Sequence, residues 1–168
     1  MAAGPRRRDR VVTADGPLPA GAFAHRQAAR EAALQMLYAL EVGGQTREQV
    51  EGWFSPERRM GLAAQSFARE LLRQTWNRRE ELDRLLAAHL TGWRPERLGA
   101  IDRCLLQLAA QELTGEEWVP AGAVIDQYLH LAKKFSQPQA LALVHGVLNA
   151  IARGRRETPE CEGGGEQR

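Results

Sequence analysis

The residues best suited to bind a ligand lie in the first strongly helical stretch of the chain. Arg26, Arg30, Leu34 and Tyr38 are spaced four residues apart, and Gln27 adds a polar side chain beside them. Residues four apart share one ridge of a helix, so the spacing predicts two guanidinium groups and a phenol along one surface. Arginine neutralises phosphates and an aromatic ring stacks on unpaired bases, a combination that suits RNA. Alone this is a weak signal, because many surface helices carry such residues.

Positive charge is concentrated at the N-terminal end. The whole chain has a net charge of +2, whereas residues 1–30 hold six arginines against two aspartates. Four of the six lie among glycines and prolines, which predicts a disordered basic arm over residues 1–22; they are Arg6, Arg7, Arg8 and Arg10. A free basic arm adds non-specific affinity for phosphates. An inert extension explains the same composition equally well.

Side chains that could support catalysis or bind a metal ion form no recognised pattern. Gly43-Gly44 lacks the lysine of a phosphate-binding loop, and the four histidines include no pair four residues apart. Cys104 is expected to be a small buried hydrophobic residue. We therefore predict no catalytic residue, no cofactor and no metal. The cysteine usage suits a reducing, cytoplasmic compartment, and no apolar run approaches the length of a membrane span.

The hydrophobic pattern predicts an all-α fold of about seven helices. Apolar residues recur every three or four positions, and no segment alternates as a half-buried strand does. Glycine, proline and N-cap residues set the boundaries, which predicts helices near residues 23–42, 47–54, 55–76, 77–91, 95–115, 121–135 and 138–153. The most apolar of these, 95–115, is placed at the centre. The folded domain is predicted to span residues 23–153, with a disordered tail over 154–168.

The first helix also carries an apolar stripe made largely of small residues. Its members recur at the spacing of one helical face: Ala29, Ala32, Ala33, Met36, Leu37 and Leu40. Small residues let neighbouring helices approach closely. The same stripe offers a face through which two copies of the chain could form a homodimer, an arrangement that would cover the basic ridge.

Several stretches resemble the NusB family, in the order in which the family has them. Residues 29–38 read A-R-E-A-A-L-Q-M-L-Y, which is similar to the family's A-R-E-x-A-x-Q-x-L-Y. Residues 125–135 read I-D-Q-Y-L-H-L-A-K-K-F, where the family has roughly I-N-E-A-V-E-L-A-K-K-F. Residues 143–148 read L-V-H-G-V-L, where the family has F-V-N-G-V-L. Residues 101–113 are similar to the family's middle helix, and Val119-Pro120 is similar to its V-P link.

The resemblance implies a fold of two small helical sub-bundles and a function without catalysis. NusB proteins bind the single-stranded boxA element of nascent ribosomal RNA together with NusE, a small-subunit ribosomal protein. The pair joins an antitermination complex on RNA polymerase. The resemblance also leaves an alternative function: an RNA-binding module related to the N-terminal domain of some ribosomal RNA methyltransferases. That alternative requires a catalytic domain downstream.

The resemblance also suggests site residues, with some departures from the family pattern. It maps the RNA-binding arginines to Arg26 and Arg30, the RNA-proximal aromatic to Tyr38, and an acidic residue on the RNA and partner surface to Asp102. Gln27 stands where a further arginine is expected, and Leu143 replaces an aromatic residue.

These two replacements predict weaker phosphate contacts and weaker stacking. Asp126, Gln127 and His145 also differ from the pattern. An alternative function is therefore a protein-interaction scaffold that binds RNA weakly. An enzyme that uses Cys104 is the least favoured alternative.

Overall fold

The computed structural model describes residues 20–52, 60–92, 97–115 and 120–157. Within these ranges the chain forms seven α-helices and no strand, which confirms the all-α prediction. The helices are α1 Ala20–Val42, α2 Arg47–Glu51, α3 Leu62–Asn77, α4 Arg79–His89, α5 Ala100–Gly115, α6 Ala121–Phe135 and α7 Ala140–Glu157. Residues 1–19 of the predicted arm and 158–168 of the predicted tail lie outside the described residues.

Helices α3 and α7 have ends that differ from the predicted ones. Helix α3 begins at Leu62, because Gly61 precedes it as an extended N-cap with φ −60° and ψ 155°. The predicted start at residues 55–56 lies outside the described residues. Helix α7 runs through Gly154 to Glu157 rather than ending at 153, since a glycine inside a helix costs only about 1 kcal/mol.

Other helix boundaries match the predictions more closely. Helix α6 has the predicted bounds. Thr46 caps α2 as expected: its hydroxyl accepts from the amide of Gln49, whose side chain accepts in return from the amide of Thr46.

Helix α5 is the centre of the molecule, as its composition predicts. Every residue from position 104 to position 113 is buried. It packs against α1 and α3, which pack closely on each other, and against α4, α6 and α7. The helices therefore form two groups, α1–α3 and α4–α7, that meet along α5. This arrangement agrees with the expected pair of sub-bundles.

The apolar stripe of α1 is also buried, which confirms its role as a core face. Ala29 and Ala33 have no exposed surface, and the other stripe residues are at most 9% exposed. Helix α1 turns this face toward α3 and α5. The expectation that two copies of the chain could dimerise through this stripe is therefore wrong, because the stripe packs against helices of the same chain.

No helix in the described part of the chain has both the length and the apolar character needed to cross a membrane.

Candidate nucleic-acid interface

The predicted basic ridge of α1 is divided between the surface and the core. Tyr38 is 39% exposed and Arg26 is half-buried. Between them, Arg30 is only 3% exposed and Leu34 is buried. The expectation of one continuous basic surface is wrong because α1 is packed by α3 and α5 together. The buried arc of the helix is therefore wider than the apolar stripe indicates.

Arg30 forms a buried ion pair with Glu112 of α5. Its Nε donates to Glu112 Oε1 at 2.8 Å, and its second terminal nitrogen donates to Oε2 at 2.7 Å. Both side chains are almost fully buried, and a buried ion is tolerated only when it is paired and hydrogen-bonded. This geometry corrects the assignment of Arg30 as a phosphate contact, since its guanidinium points into the protein toward a carboxylate.

Tyr128 of α6 completes this buried cluster. Its hydroxyl donates to Glu112 Oε1 at 2.5 Å. Burial, reinforced by the negative charge of Glu112, raises the pKa of the Tyr128 phenol well above its usual value, so the phenol stays protonated and acts as a donor. The sequence holds two signals for this cluster. One is a glutamate within the most apolar helix, and the other is a tyrosine where the family pattern has alanine.

Phe67 of α3 contacts both arginines of α1. The guanidinium carbon of Arg26 lies 5.2 Å from the centroid of the Phe67 ring, and that of Arg30 lies 5.5 Å from it. Both distances fall within the range of a cation–π interaction. Arg26 therefore sits where the surface meets the α1–α3 contact, next to the buried cluster. Phe67 falls within the helix predicted over residues 55–76, but the sequence alone does not show which residues of α1 its ring contacts.

Gln27, predicted to contact RNA, turns its amide group away from solvent. The side-chain nitrogen and oxygen of Gln27 are buried and make no hydrogen bond in the part of the chain that the structure describes. The side chain as a whole is half-buried. An outward contact with a base therefore requires the Gln27 side chain to change its rotamer.

The remaining predicted residues lie away from Arg26, and two of them are largely covered by the fold. Tyr38 follows Arg26 by twelve positions, which places the two about 18 Å apart along the axis of α1. Leu143 of α7 is half-buried and packs against the core. Asp102, in the first turn of α5, is 9% exposed, and its Oδ1 is buried without a hydrogen bond among the described residues.

A small cavity lies between α3 and α5 beside the buried cluster. Its volume of about 20 Å³ is room for about one water molecule. The residues that line it are Phe67, Glu70, Leu71, Gln74, Gln111 and Glu112. A nucleobase does not fit in such a space, so this cavity is not a binding site for an RNA base.

A second polar cluster joins α4 and α5 near Cys104. Asp83 accepts from Arg103 at 2.5 Å and from the amide of Gln107 at 2.8 Å. Burial, together with the negative charge of Glu41, raises the pKa of the Cys104 thiol to about 12. Cys104 is 1% exposed, which confirms its expected place in the core. A protonated and buried thiol is a poor nucleophile.

Histidine, cysteine, aspartate and glutamate side chains do not gather into a metal-binding group within the described ranges.

Comparisons with known proteins agree with this architecture. The NusB family matches residues 27–153 of the chain. A transcription antitermination protein NusB from Symbiobacterium thermophilum is 38% identical over 141 residues, which cover 78% of this chain and 91% of that protein. T. maritima NusB superposes with a TM-score of 0.70 at 27% identity, over 76% of this chain and 90% of that structure.

A crystal structure of the antitermination factors NusB and NusE in complex with double-stranded RNA also superposes. Its TM-score is 0.70 at 26% identity, covering 78% of this chain and 98% of the matched chain. Because the family match spans most of the chain and the fold agrees with solved members, the chain belongs to the NusB family.

Proposed function

We propose that this protein is a transcription antitermination factor that binds RNA by surface contacts and performs no catalysis. The observation that carries the proposal is the agreement of the fold with a NusB chain that was crystallised with NusE and RNA. The proposed ligand is a single-stranded boxA-type element of nascent ribosomal RNA. The proposed partners are a NusE-like ribosomal protein and the antitermination complex on RNA polymerase. Since the ligand is a nascent transcript, the proposed place of action is the cytoplasm.

The RNA contact is assigned to side chains of α1 that reach its surface. Arg26 supplies a charge for a phosphate, and Tyr38 supplies an exposed ring for stacking on a base. Gln27 and Leu143 are assigned to the margin of this contact. Arg30 is assigned a structural role, because its buried ion pair with Glu112 joins α1 to α5.

Asp102 is assigned to the protein partner. Its carboxylate lies at the start of α5 with one oxygen that makes no hydrogen bond among the described residues. A nearly buried carboxylate oxygen that makes no hydrogen bond within the described residues favours a donor from another molecule. Asp102→Asn is expected to weaken association with the NusE-like protein and to leave the intrinsic RNA affinity of the isolated chain unchanged.

The test compares charge removal at two arginines on different helices. Arg26→Gln removes the proposed phosphate contact, and Arg84→Gln removes an equal charge from the exposed side of α4. Affinity for boxA-type RNA is measured over a salt series, with and without the NusE-like partner. A duplex of the same sequence serves as competitor.

Arg26→Gln should weaken binding and lower the salt slope by about 0.7, the value for one phosphate contact on a single strand. Arg84→Gln should change the RNA affinity only slightly, through the general effect of one positive charge fewer. Equal effects of the two substitutions would overturn the assignment of the site to α1.

A scaffold that binds RNA weakly is the second candidate function. The observation that favours it is the burial of Arg30, which leaves Arg26 as the less buried of the two predicted arginines. A salt slope close to zero for the unmodified protein, with intact binding of the NusE-like partner, would support the scaffold and contradict the RNA-binding proposal.

A further inference from the structure

We propose that Lys134 of α6 binds a phosphate of the RNA that crosses the exposed face of α1. The inference rests on the proposed RNA contact of α1 and adds a binding residue from another helix. The ammonium group of Lys134 donates to Glu31 Oε1 at 2.7 Å. Since Glu31 belongs to α1 and Lys134 to α6, this hydrogen bond places a cation of α6 directly beside α1.

The exposed face of α1 has a gap in positive charge between Arg26 and Tyr38. Arg30 is the single basic residue between these two positions in the sequence, and its guanidinium lies inside the protein against Glu112. Arg26 and Tyr38 are about 18 Å apart along the helix axis, whereas the phosphates of a stacked strand recur about every 3.4 Å. A strand that follows α1 therefore places phosphates where α1 itself offers no exposed cation.

Lys134 lies at the level of this gap. Its partner Glu31 follows Arg26 by five residues, which is about 7.5 Å along the axis of α1. The side chain of Lys134 is 52% exposed and that of Glu31 is 28% exposed, so the cation is the more accessible member of the pair. An ammonium group has three donors, and the hydrogen bond to Glu31 uses one of them. The other two are suited to phosphate oxygens.

Two contacts hold the ammonium group in place before RNA binds. Besides its hydrogen bond to Glu31, Nζ of Lys134 lies 5.2 Å from the centroid of the Phe135 ring, within the range of a cation–π interaction. Ordering a lysine side chain on a ligand opposes binding, and these contacts reduce that cost. Because the carboxylate of Glu31 repels a phosphate, the proposed contribution is a short charge-assisted hydrogen bond and not attraction at long range.

Lys133 provides a matched control on the same turn of α6. It carries the same charge and is also exposed. Consecutive residues point about 100° apart around a helix, so the Lys133 side chain leaves α6 in a different direction from the one that contacts Glu31. An effect of net charge alone should be equal for the two lysines, whereas a direct contact should be specific to Lys134.

The first experiment compares two substitutions in the full chain. Lys134→Gln should weaken binding of boxA-type RNA at low salt by about two- to five-fold. It should also lower the salt slope by about 0.7, the value for one phosphate contact on a single strand. Lys133→Gln should change both quantities less. Thermal unfolding of each variant confirms that it is folded.

The second experiment locates the contact on the RNA. In a set of boxA-type RNAs, one phosphate at a time is replaced by an uncharged methylphosphonate. Replacement of the phosphate that Lys134 contacts should weaken binding to the unmodified protein and have no further effect on Lys134→Gln. Replacement at every other position should weaken binding to both proteins equally.

The outcomes separate this inference from the proposed function. If Lys133→Gln and Lys134→Gln weaken binding equally, or if Lys134→Gln leaves the methylphosphonate pattern unchanged, the inference is overturned. If Arg26→Gln does not weaken binding, or the unmodified protein binds RNA with a salt slope near zero, the proposed RNA contact of α1 fails and the inference fails with it. Loss of sensitivity at one phosphate in Arg26→Gln and at a different phosphate in Lys134→Gln supports both.

Discussion

Arg30 and Glu112, separated by 82 positions in sequence, form a two-bond ion pair inside the protein and join α1 to α5. The pair is almost fully buried, so its effect on stability depends on whether both partners are present. A buried charge that loses its partner is far more costly than a buried pair replaced by apolar groups.

Substitution of one partner should therefore destabilise the fold strongly. Glu112→Gln or Arg30→Met should lower the free energy of unfolding by about 3–5 kcal/mol. The double variant Arg30→Met with Glu112→Gln should lose less than the sum of the two single losses. Urea unfolding measures all three. Glu70→Gln, which removes an exposed pair with Arg73, is the control and should cost about 1 kcal/mol or less.

Removal of the Tyr128 hydroxyl should also destabilise the protein. Tyr128→Phe keeps the ring and deletes the donor to Glu112, and hydrogen bonds to charged groups contribute about 1.5–3 kcal/mol. The matched control is Tyr38→Phe, since Tyr38 is exposed and should change stability by about 0.5 kcal/mol or less. A Tyr128→Phe variant as stable as the unmodified protein would show that the hydrogen bond contributes no net stability.

Cys104 should resist alkylation in the folded protein. Its thiol is buried, and its pKa of about 12 leaves almost no thiolate near neutral pH. In a Cys161→Ser background, where Cys104 is the single remaining cysteine of the sequence, iodoacetamide at pH 8 should react only after denaturant is added. Rapid labelling of the native protein would contradict the buried position of this residue.

The same thiol should make stability fall at alkaline pH. A group whose pKa is raised in the folded state contributes stability that is fully present below its unfolded pKa, which is about 9 for the Cys104 thiol. That stability is lost as pH rises toward the folded value of about 12. Between these limits the contribution falls by about 1.4 kcal/mol per pH unit. Urea unfolding of Cys104→Ala should show a shallower pH dependence than the unmodified protein over this window.

Tyr38 should contribute to RNA binding through its exposed ring. Tyr38→Ala removes a stacking surface, and base–aromatic stacking contributes about 1–3 kcal/mol per base, which corresponds to a loss of affinity of about five- to 150-fold. Val42→Ala is the matched control, because Val42 is exposed on the same helix and is not aromatic. Fluorescence anisotropy with labelled RNA should separate the two variants, and equal losses would argue against stacking at Tyr38.

The fold was largely predictable because its helices have strong hydrophobic periodicity. The bounds of α6, the central place of α5 and the core stripe of α1 all follow from apolar spacing. Helix starts near Gly61 and Gly99 were not predictable, since proline a few residues earlier is an equally good initiation signal.

The site was less predictable, because exposure depends on tertiary packing. The spacing of Arg26, Arg30 and Tyr38 describes one helix ridge, but it does not tell which neighbours cover that ridge. Arg30 is buried because Glu112 lies opposite it, and this partner is 82 positions away. The contact of Phe67 with Arg26 was not predictable for the same reason, since it joins residues of two different helices.

The position of α5 has a consequence for how the protein unfolds. Its buried residues are shared by the α1–α3 group and by α4, α6 and α7. Neither group can therefore separate without exposing the apolar faces of α5 to water, and that exposure destabilises the other group at once. The two groups should melt together in one cooperative transition, and the amide hydrogens of α5 should exchange more slowly than those of the peripheral helices.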